Sequence, residues 1–485
     1  VHFKGRTVFA FVMLTMVASV LITLTVADQI LKQDESSSHA VAASAAGEGE
    51  RFKLKEDELT KLNAVLELIE TKYYQEVDRD ELLDGAVSGM MSSLDDPYSV
   101  YMEKDVAQHF SESIEGSFTG IGAEVTMDNG RIVVVSPIKG SPAERSGLLA
   151  KDILLSVNGE KLDGLNLQDA VAKIRGPKGT KAKIQVQRAG FSEPIQLVLI
   201  RDDIDVETVY GSMRPDGVGI IEIRQFSLHT ADRFKEELER LEGQGMKGLV
   251  LDVRNNPGGI LPVVIDIAQS FMPKGKTIVQ VEDRDGNREK TVSEGKSKTY
   301  PIAVLMNNGS ASASEILAGA LKEGAGAKLV GETSFGKGTV QVSYNKVLGD
   351  GSLVKMTIAK WLTPNGNWIH QTGIKPDLEV KPPDLYTVAR LSMSETLKQD
   401  MLGEQVKSVQ IILHGLGYDP KREDGYYGTE TTQAVTKFQS EHGLPVTGQV
   451  DAKTGEALEK AVIKWLQDKN NDIQLLEAVK AVGRK

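Results

Sequence analysis

Three short segments carry the groups that could do chemistry. The first is Asn308-Gly309-Ser310-Ala311-Ser312-Ala313-Ser314-Glu315, which follows an apolar run at 303–306. A serine at the mouth of a helix sits in the field of unpaired N–H groups, which suits an oxyanion. Small neighbours let a substrate carbonyl come close. Ser with Glu just behind it is also ordinary helix-start chemistry, so the three serines remain alternatives on spacing alone. The second segment is Leu251-Asp252-Val253-Arg254-Asn255-Asn256-Pro257-Gly258-Gly259. Consecutive glycines let backbone N–H groups point into a cleft, the logic of an oxyanion hole. A tight strand-to-helix turn would use the same residues. The third is Gly331-Glu332-Thr333-Ser334-Phe335-Gly336-Lys337-Gly338-Thr339-Val340-Gln341. A lysine between glycines can be approached from both sides. If a strand follows, its period of two sets Lys337, Thr339 and Gln341 on one face, where Gln341 could hold the amine. Lysine acts as a base only if desolvation lowers its pKa. The plain alternatives are a phosphate loop or a solvated lysine, although the Walker A spacing is not met.

What is missing narrows the chemistry. The chain has no cysteine, which removes disulfides, thiolate metal sites and a cysteine nucleophile. None of the seven histidines lies in the three segments. A triad assembled through His109, His229 or His370 stays open. No HExxH or carboxylate–histidine cluster points to a metal, so neither metal nor other cofactor is expected. The net charge of -11 argues against nucleic acid as a partner, since phosphate binding needs a basic face.

These segments need elements to hold them. Over 206–384, strands and helices alternate, which argues an α/β layer with a mainly parallel sheet and functional groups at strand ends. Residues 111–201 change to short alternating strands with glycine turns and two short helices, at 141–146 and 166–174. Residues 54–91 carry apolar residues at helical spacing, among them Leu59, Leu62, Val65 and Leu66. A small helical unit spans 403–466, and the tail to Lys485 has one amphipathic stretch at 473–482. At the other end, Lys4 and Arg6 precede an uncharged stretch at 7–27 that is long enough to span a bilayer. The positive flank orients the rest of the chain outward. A cleaved signal peptide is the rival reading, though Thr25-Val26-Ala27 makes a poor cleavage site. The residues at 29–50 read as a solvated tether.

Taken in order, the three segments resemble the carboxyl-terminal processing, or tail-specific, serine peptidases of the S41 family. Leu94-Asp95-Asp96-Pro97-Tyr98-Ser99-Val100-Tyr101-Met102 and Trp361-Leu362-Thr363-Pro364-Asn365-Gly366 are similar to that family as well. The resemblance implies Ser312 as nucleophile, Lys337 as general base and Gln341 as its orienting partner. The implied oxyanion donors are the N–H groups of Gly258 and Ala313. The 111–201 module resembles a PDZ domain, with Gly120, Ile121, Gly122 and Ala123 in its carboxylate loop and Arg175 as a charge partner for a peptide C-terminus. Residues 403–466 resemble a small peptidoglycan-binding domain.

The expected fold is multidomain α/β. It has an anchor or signal (1–28), a linker (29–50), N-terminal helices (51–110) and the PDZ-like α+β module (111–201). A crotonase- or ClpP-like peptidase core (202–390), the small helical domain (403–466) and a tail (467–485) follow. The expected function is a serine endopeptidase that cleaves proteins chosen by their exposed C-termini. It would act outside the cytoplasmic membrane, anchored or secreted, as a homodimer and with peptidoglycan as a further partner. A non-catalytic PDZ and wall-binding scaffold is the alternative.

Overall fold

Gly248–Asp252 and Ile302–Met306 are buried at every position. Strands apolar on both faces need a cover on both sides of their sheet. The computed structural model shows how both covers are built; it describes residues 53–191, 193–391 and 395–483. The expected membrane-spanning stretch and the whole of the tether lie outside these residues. The main sheet runs Val209–Met213, Val218–Ile223, Gly248–Asp252, Ile302–Met306, Lys328–Gly331, Leu378–Glu379. Its first pair is antiparallel and the rest are parallel.

Alternate residues of the central strands face opposite layers. Leu249, Leu251, Val304 and Met306 join a core shared with the helices Thr230–Gly243, Leu261–Gln269 and Ala313–Ala320. Val250, Ala303 and Leu305 join a second core. Its cover is the helix Ile473–Gly483, through Leu475, Ala478, Val479 and Val482. The segment expected as a tail is therefore the outer layer of the main sheet, with Val380 packed beside it.

A second, antiparallel sheet joins Val100–Met102, Thr277–Asp283, Arg288–Val292, Thr339–Tyr344 and Leu353–Leu362. A third sheet, from Ala123–Asp128 to Ile195–Ile200, packs on Leu167–Ile174 around Ile132, Val134, Ala170 and Ile184. The two helices expected there appear as Pro142–Arg145 and Leu167–Ile174. Each is capped by the residue before it: Ser141 Oγ accepts from Glu144 N–H and Asn166 Oδ1 from Asp169 N–H. Ser117–Gly120 pairs antiparallel with Asp202–Asp205 at the root of this module. Further along, Glu404–Gly415, Thr429–Glu441 and Ala452–Gln467 enclose Val409, Tyr427, Phe438 and Leu458.

The N-terminal helices form their own unit, which runs to Met90. Glu56–Lys72 and Arg79–Ser92 contain no buried residue. Leu59, Leu62, Val65 and Leu68 are all about half exposed.

Candidate active site

The three serines after Ile302–Met306 have different fates. Ser310 is buried; its hydroxyl donates to Val253 O (2.7 Å) and accepts from Asn307 N–H (3.0 Å). Ser314 is buried and donates to Asn256 O (2.9 Å). Both hydroxyls pin one loop to the next. Ser312 is only partly buried and sits at the N-cap of Ala313–Ala320 with φ 56° and ψ -112°. A non-glycine residue held there costs about 1–3 kcal/mol, so the surrounding contacts must enforce it. The bend sets Ser312 at the mouth of a wholly buried helix.

The Gly258 turn lies against this serine. Gly258 has φ 106°, and a methyl group on it would come within 3.0 Å of Ser312 Cβ and Ala313 N. Only glycine allows both the backbone angle and the close approach. The N–H of Ala313, at the first position of its helix, has no acceptor among the described residues. That of Gly258 donates to Asn256 Oδ1 (2.8 Å). Asn256 is itself fully buried. Its Nδ2 donates to Ile223 O (2.7 Å), and its carbonyl accepts from Ala311 N–H and Ser314 Oγ. This one side chain and its peptide group staple the glycine turn to the serine loop.

Glu315 ties the serine to the lysine. The carboxylate is fully buried and accepts from Ser312 N–H (2.8 Å), Ser334 Oγ (2.6 Å), Gly336 N–H (2.7 Å) and Lys337 N–H (2.9 Å). The helix-start reading of Glu315 therefore holds, but the same carboxylate also organises the Gly336-Lys337 loop. Trp361 Nε1–H grips the other side of that loop by donating to Lys337 O (2.8 Å).

The Lys337 ammonium nitrogen lies 4.8 Å from the centre of the Tyr98 ring. Burial, helped by the nearby positive charge of Lys355, holds its pKa down to about 8, against the pull of Asp96 and Glu315. Lys355, against Phe110, is itself lowered by burial. No hydrogen bond joins Nζ to Ser312 or Gln341 among the described residues. Gln341 Nε2 donates instead to Thr339 Oγ1 (2.8 Å) and Thr357 Oγ1 (3.2 Å). The strand begins at Thr339, and its pairing with Leu353–Leu362 shifts register between Val340 and Gln341. Gln341 and Thr339 still meet on one side, as the alternation suggested, while Lys337 lies before the strand begins.

No histidine bonds to Ser312 among the described residues. His370 Nδ1 accepts from Gly338 N–H (3.3 Å), and its ring stacks on Trp368. His109 lies beside Arg175, and His229 precedes Thr230–Gly243. At the carboxylate loop, the N–H groups of Ile121 and Gly122 have no acceptor among the described residues. Gly122, at φ 74°, leaves room for Ser141, whose hydroxyl donates to Gly122 O (2.8 Å). Gly120 ends the strand Ser117–Gly120 and Ala123 opens the next one. The Arg175 guanidinium lies over Phe118 and donates to Glu112 (2.6 Å).

Sequence reasoning left Asn256, Tyr98 and Lys355 without roles. The signals for Tyr98 and Asn256 were their places in the 94–102 and 251–259 stretches; Lys355 shows nothing distinctive locally.

Comparison with known proteins decides the family. The chain is 45% identical over 457 residues to the carboxy-terminal processing protease CtpB of Bacillus subtilis, covering 93% of this chain and 94% of that protein. The chain belongs to the carboxy-terminal processing peptidases. To CtpA of the same organism it is 42% identical over 467 residues, covering 96% and 98%. Residues 217–380 match peptidase family S41, 133–188 a PDZ domain and 403–458 a peptidoglycan binding domain. Residues 16–106 match the N-terminal domain of the activating protease CtpB. A solved photosystem II D1 C-terminal processing protease is 31% identical with a TM-score of 0.40, covering 66% of this chain and 86% of that one. This carboxy-terminal processing peptidase is thus a multidomain α/β serine peptidase with a PDZ domain.

Proposed function

We propose that this peptidase cuts proteins recognised by their C-terminal tails, with Ser312 as nucleophile and Lys337 as base. The observation that carries the reading is the separation of the serines. Ser310 and Ser314 are consumed by buried carbonyls, while Ser312 stands at the helix mouth beside Gly258. A lysine of lowered pKa sits on a loop held by the same carboxylate as Ser312.

In the reaction, neutral Lys337 takes the Ser312 proton as Oγ bonds to the substrate carbonyl carbon. The amine must first leave the Tyr98 ring. The oxyanion meets Ala313 N–H and, once it turns from Asn256, Gly258 N–H. Collapse breaks the C–N bond, and the lysine proton goes to the leaving amine. Water then repeats the sequence on the acyl-enzyme, with Lys337 again accepting and returning the proton. Gln341 would orient the lysine amine once it turns from Thr339 and Thr357.

Substrate tails would reach this centre from the PDZ loop, their carboxylate taken by the N–H groups of Ile121 and Gly122. Arg175 would exchange its contact with Glu112 for the tail. The N-terminal segment would hold the enzyme outside the cytoplasmic membrane. The exposed leucine rows of the first two helices would pair two copies, and the 403–466 module would take peptidoglycan. The test compares substrate fragments by mass spectrometry. Ser312→Ala and Lys337→Ala should each lose cleavage by a factor of at least ~10² while melting as the parent does. Full activity in Lys337→Ala would overturn the assignment of the base.

A further inference from the structure

Arg254 lies four residues before Gly258, and its side chain is 16% exposed. All five of its N–H groups are used. Nε and Nη2 donate to Asp252 (3.0 and 2.7 Å), at the end of its own strand. Nη1 and Nη2 donate to the two carboxylate oxygens of Asp472 (2.9 and 2.6 Å), a bidentate fork from the far end of the chain. Nη1 also donates to Gln474 Oε1 (3.0 Å). Burial works against the charge of this guanidinium, but Asp252 and Asp472 outweigh it and hold it more firmly protonated than in water.

Asp472 has a second contact. Its Oδ1 accepts from Leu475 N–H (2.9 Å) and so caps Ile473–Gly483, the helix that covers the main sheet. Gln474 Nε2 donates to Val380 O (2.7 Å), fastening the same helix start just past the sheet's last strand. Residues 472–483 lie beyond the matched peptidase and peptidoglycan-binding segments.

We propose that Asp472 is a positioning residue of the active site: by clamping Arg254 it sets the turn that presents Asn256 and Gly258 to Ser312. The inference rests on the reading of Ser312 and Gly258 given above. It makes Asp472, just before Ile473–Gly483, a support of the catalytic centre, while the rest of that helix serves as cover for the sheet.

Three variants of the full chain test it. Asp472→Asn keeps a helix-capping side chain but removes the charge that opposes Arg254. Asp472→Glu restores the charge. Val479→Ala loosens the packing of the helix without touching Arg254. Steady-state kinetics on a protein substrate with an apolar tail, thermal melting and amide exchange at 255–259 are measured for each. Asp472→Asn should lose at least tenfold in kcat with KM changed less than twofold, and its 255–259 amides should exchange faster. Asp472→Glu should recover part of kcat. Val479→Ala should melt earlier yet keep its kcat and slow exchange. Parental kcat and exchange in Asp472→Asn would overturn the proposal. So would losses of kcat that simply track melting temperature in both Asp472→Asn and Val479→Ala. A parental enzyme without activity would count against Ser312 and Lys337 instead, and amide exchange would still decide the clamp.

Discussion

Glu315 and Arg254 are both buried charges next to the same cluster of loops, yet they are neutralised in opposite ways. Glu315 is met by three backbone N–H groups and a hydroxyl. No cation pairs with it among the described residues. Arg254 is met by two carboxylates and an amide oxygen. A carboxylate satisfied by neutral donors depends on the shape of its own loops, so it keeps working wherever those loops fold. A guanidinium forked onto Asp472 depends on a segment 218 residues away, so it reports whether that segment has docked. One charge defines the serine–lysine junction locally. The other makes the glycine turn answer to the end of the chain.

The contrast can be broken by removing each charge in turn. Glu315→Ala should be the more damaging. It strands four donors, two of them buried, at about 1–3 kcal/mol for each left unsatisfied, and it frees both Ser312 and the lysine loop. Activity should fall by at least ~10³, and urea unfolding should show a loss of about 3 kcal/mol or more. Near-parental stability would mean that Glu315 only caps a helix. Arg254→Met should do less harm to the serine–lysine junction, because the change leaves Glu315 and its partners in place. We expect a stability loss of about 3–5 kcal/mol from the two unpaired aspartates, with a smaller fall in kcat than in Glu315→Ala. Equal losses of kcat in the two variants would remove the distinction between a local and a remote support.

The smallest effect is a shift in pH dependence. The lysine must be neutral to accept a proton, so kcat/KM should rise with pH through about 8 and level off above it. Lys355→Met removes a neighbouring positive charge that favours the neutral form. The rising limb should therefore move to higher pH, with the plateau little changed. A profile flat from pH 7 to 9 would remove Lys337 from the role of base.

Much of this was legible in the sequence because it is local. The order of serine loop, glycine turn and lysine loop can be read from glycine, proline and apolar runs alone. The both-face burial of Gly248–Asp252 and Ile302–Met306 follows from their apolar runs at 249–251 and 302–306. Which serine is free was not legible. Ser310 and Ser314 lose their hydroxyls to Val253 O and Asn256 O, 57 and 58 residues away, and no spacing rule reaches that far. Glu315 was visible as a cap, but its hold on Gly336 and Lys337 was not. The period of two holds between Thr339 and Gln341, but where the strand would begin, two residues after Lys337, was not visible. The helix Ile473–Gly483 was recognisable as amphipathic, while its docking surface was set by sheet residues from Val218 to Val330, far earlier in the chain.

The docking of Ile473–Gly483 has a consequence for the order of synthesis. A chain made from its N-terminus presents the serine, the glycine turn and the lysine well before residue 472 appears. Until then Val250, Ala303 and Leu305 have no cover and Arg254 has only Asp252. The peptidase would reach working order only when its last helix arrives. A nascent copy emerging beside other unfolded proteins would thus be harmless to them, and to itself, until residues 472–483 have docked.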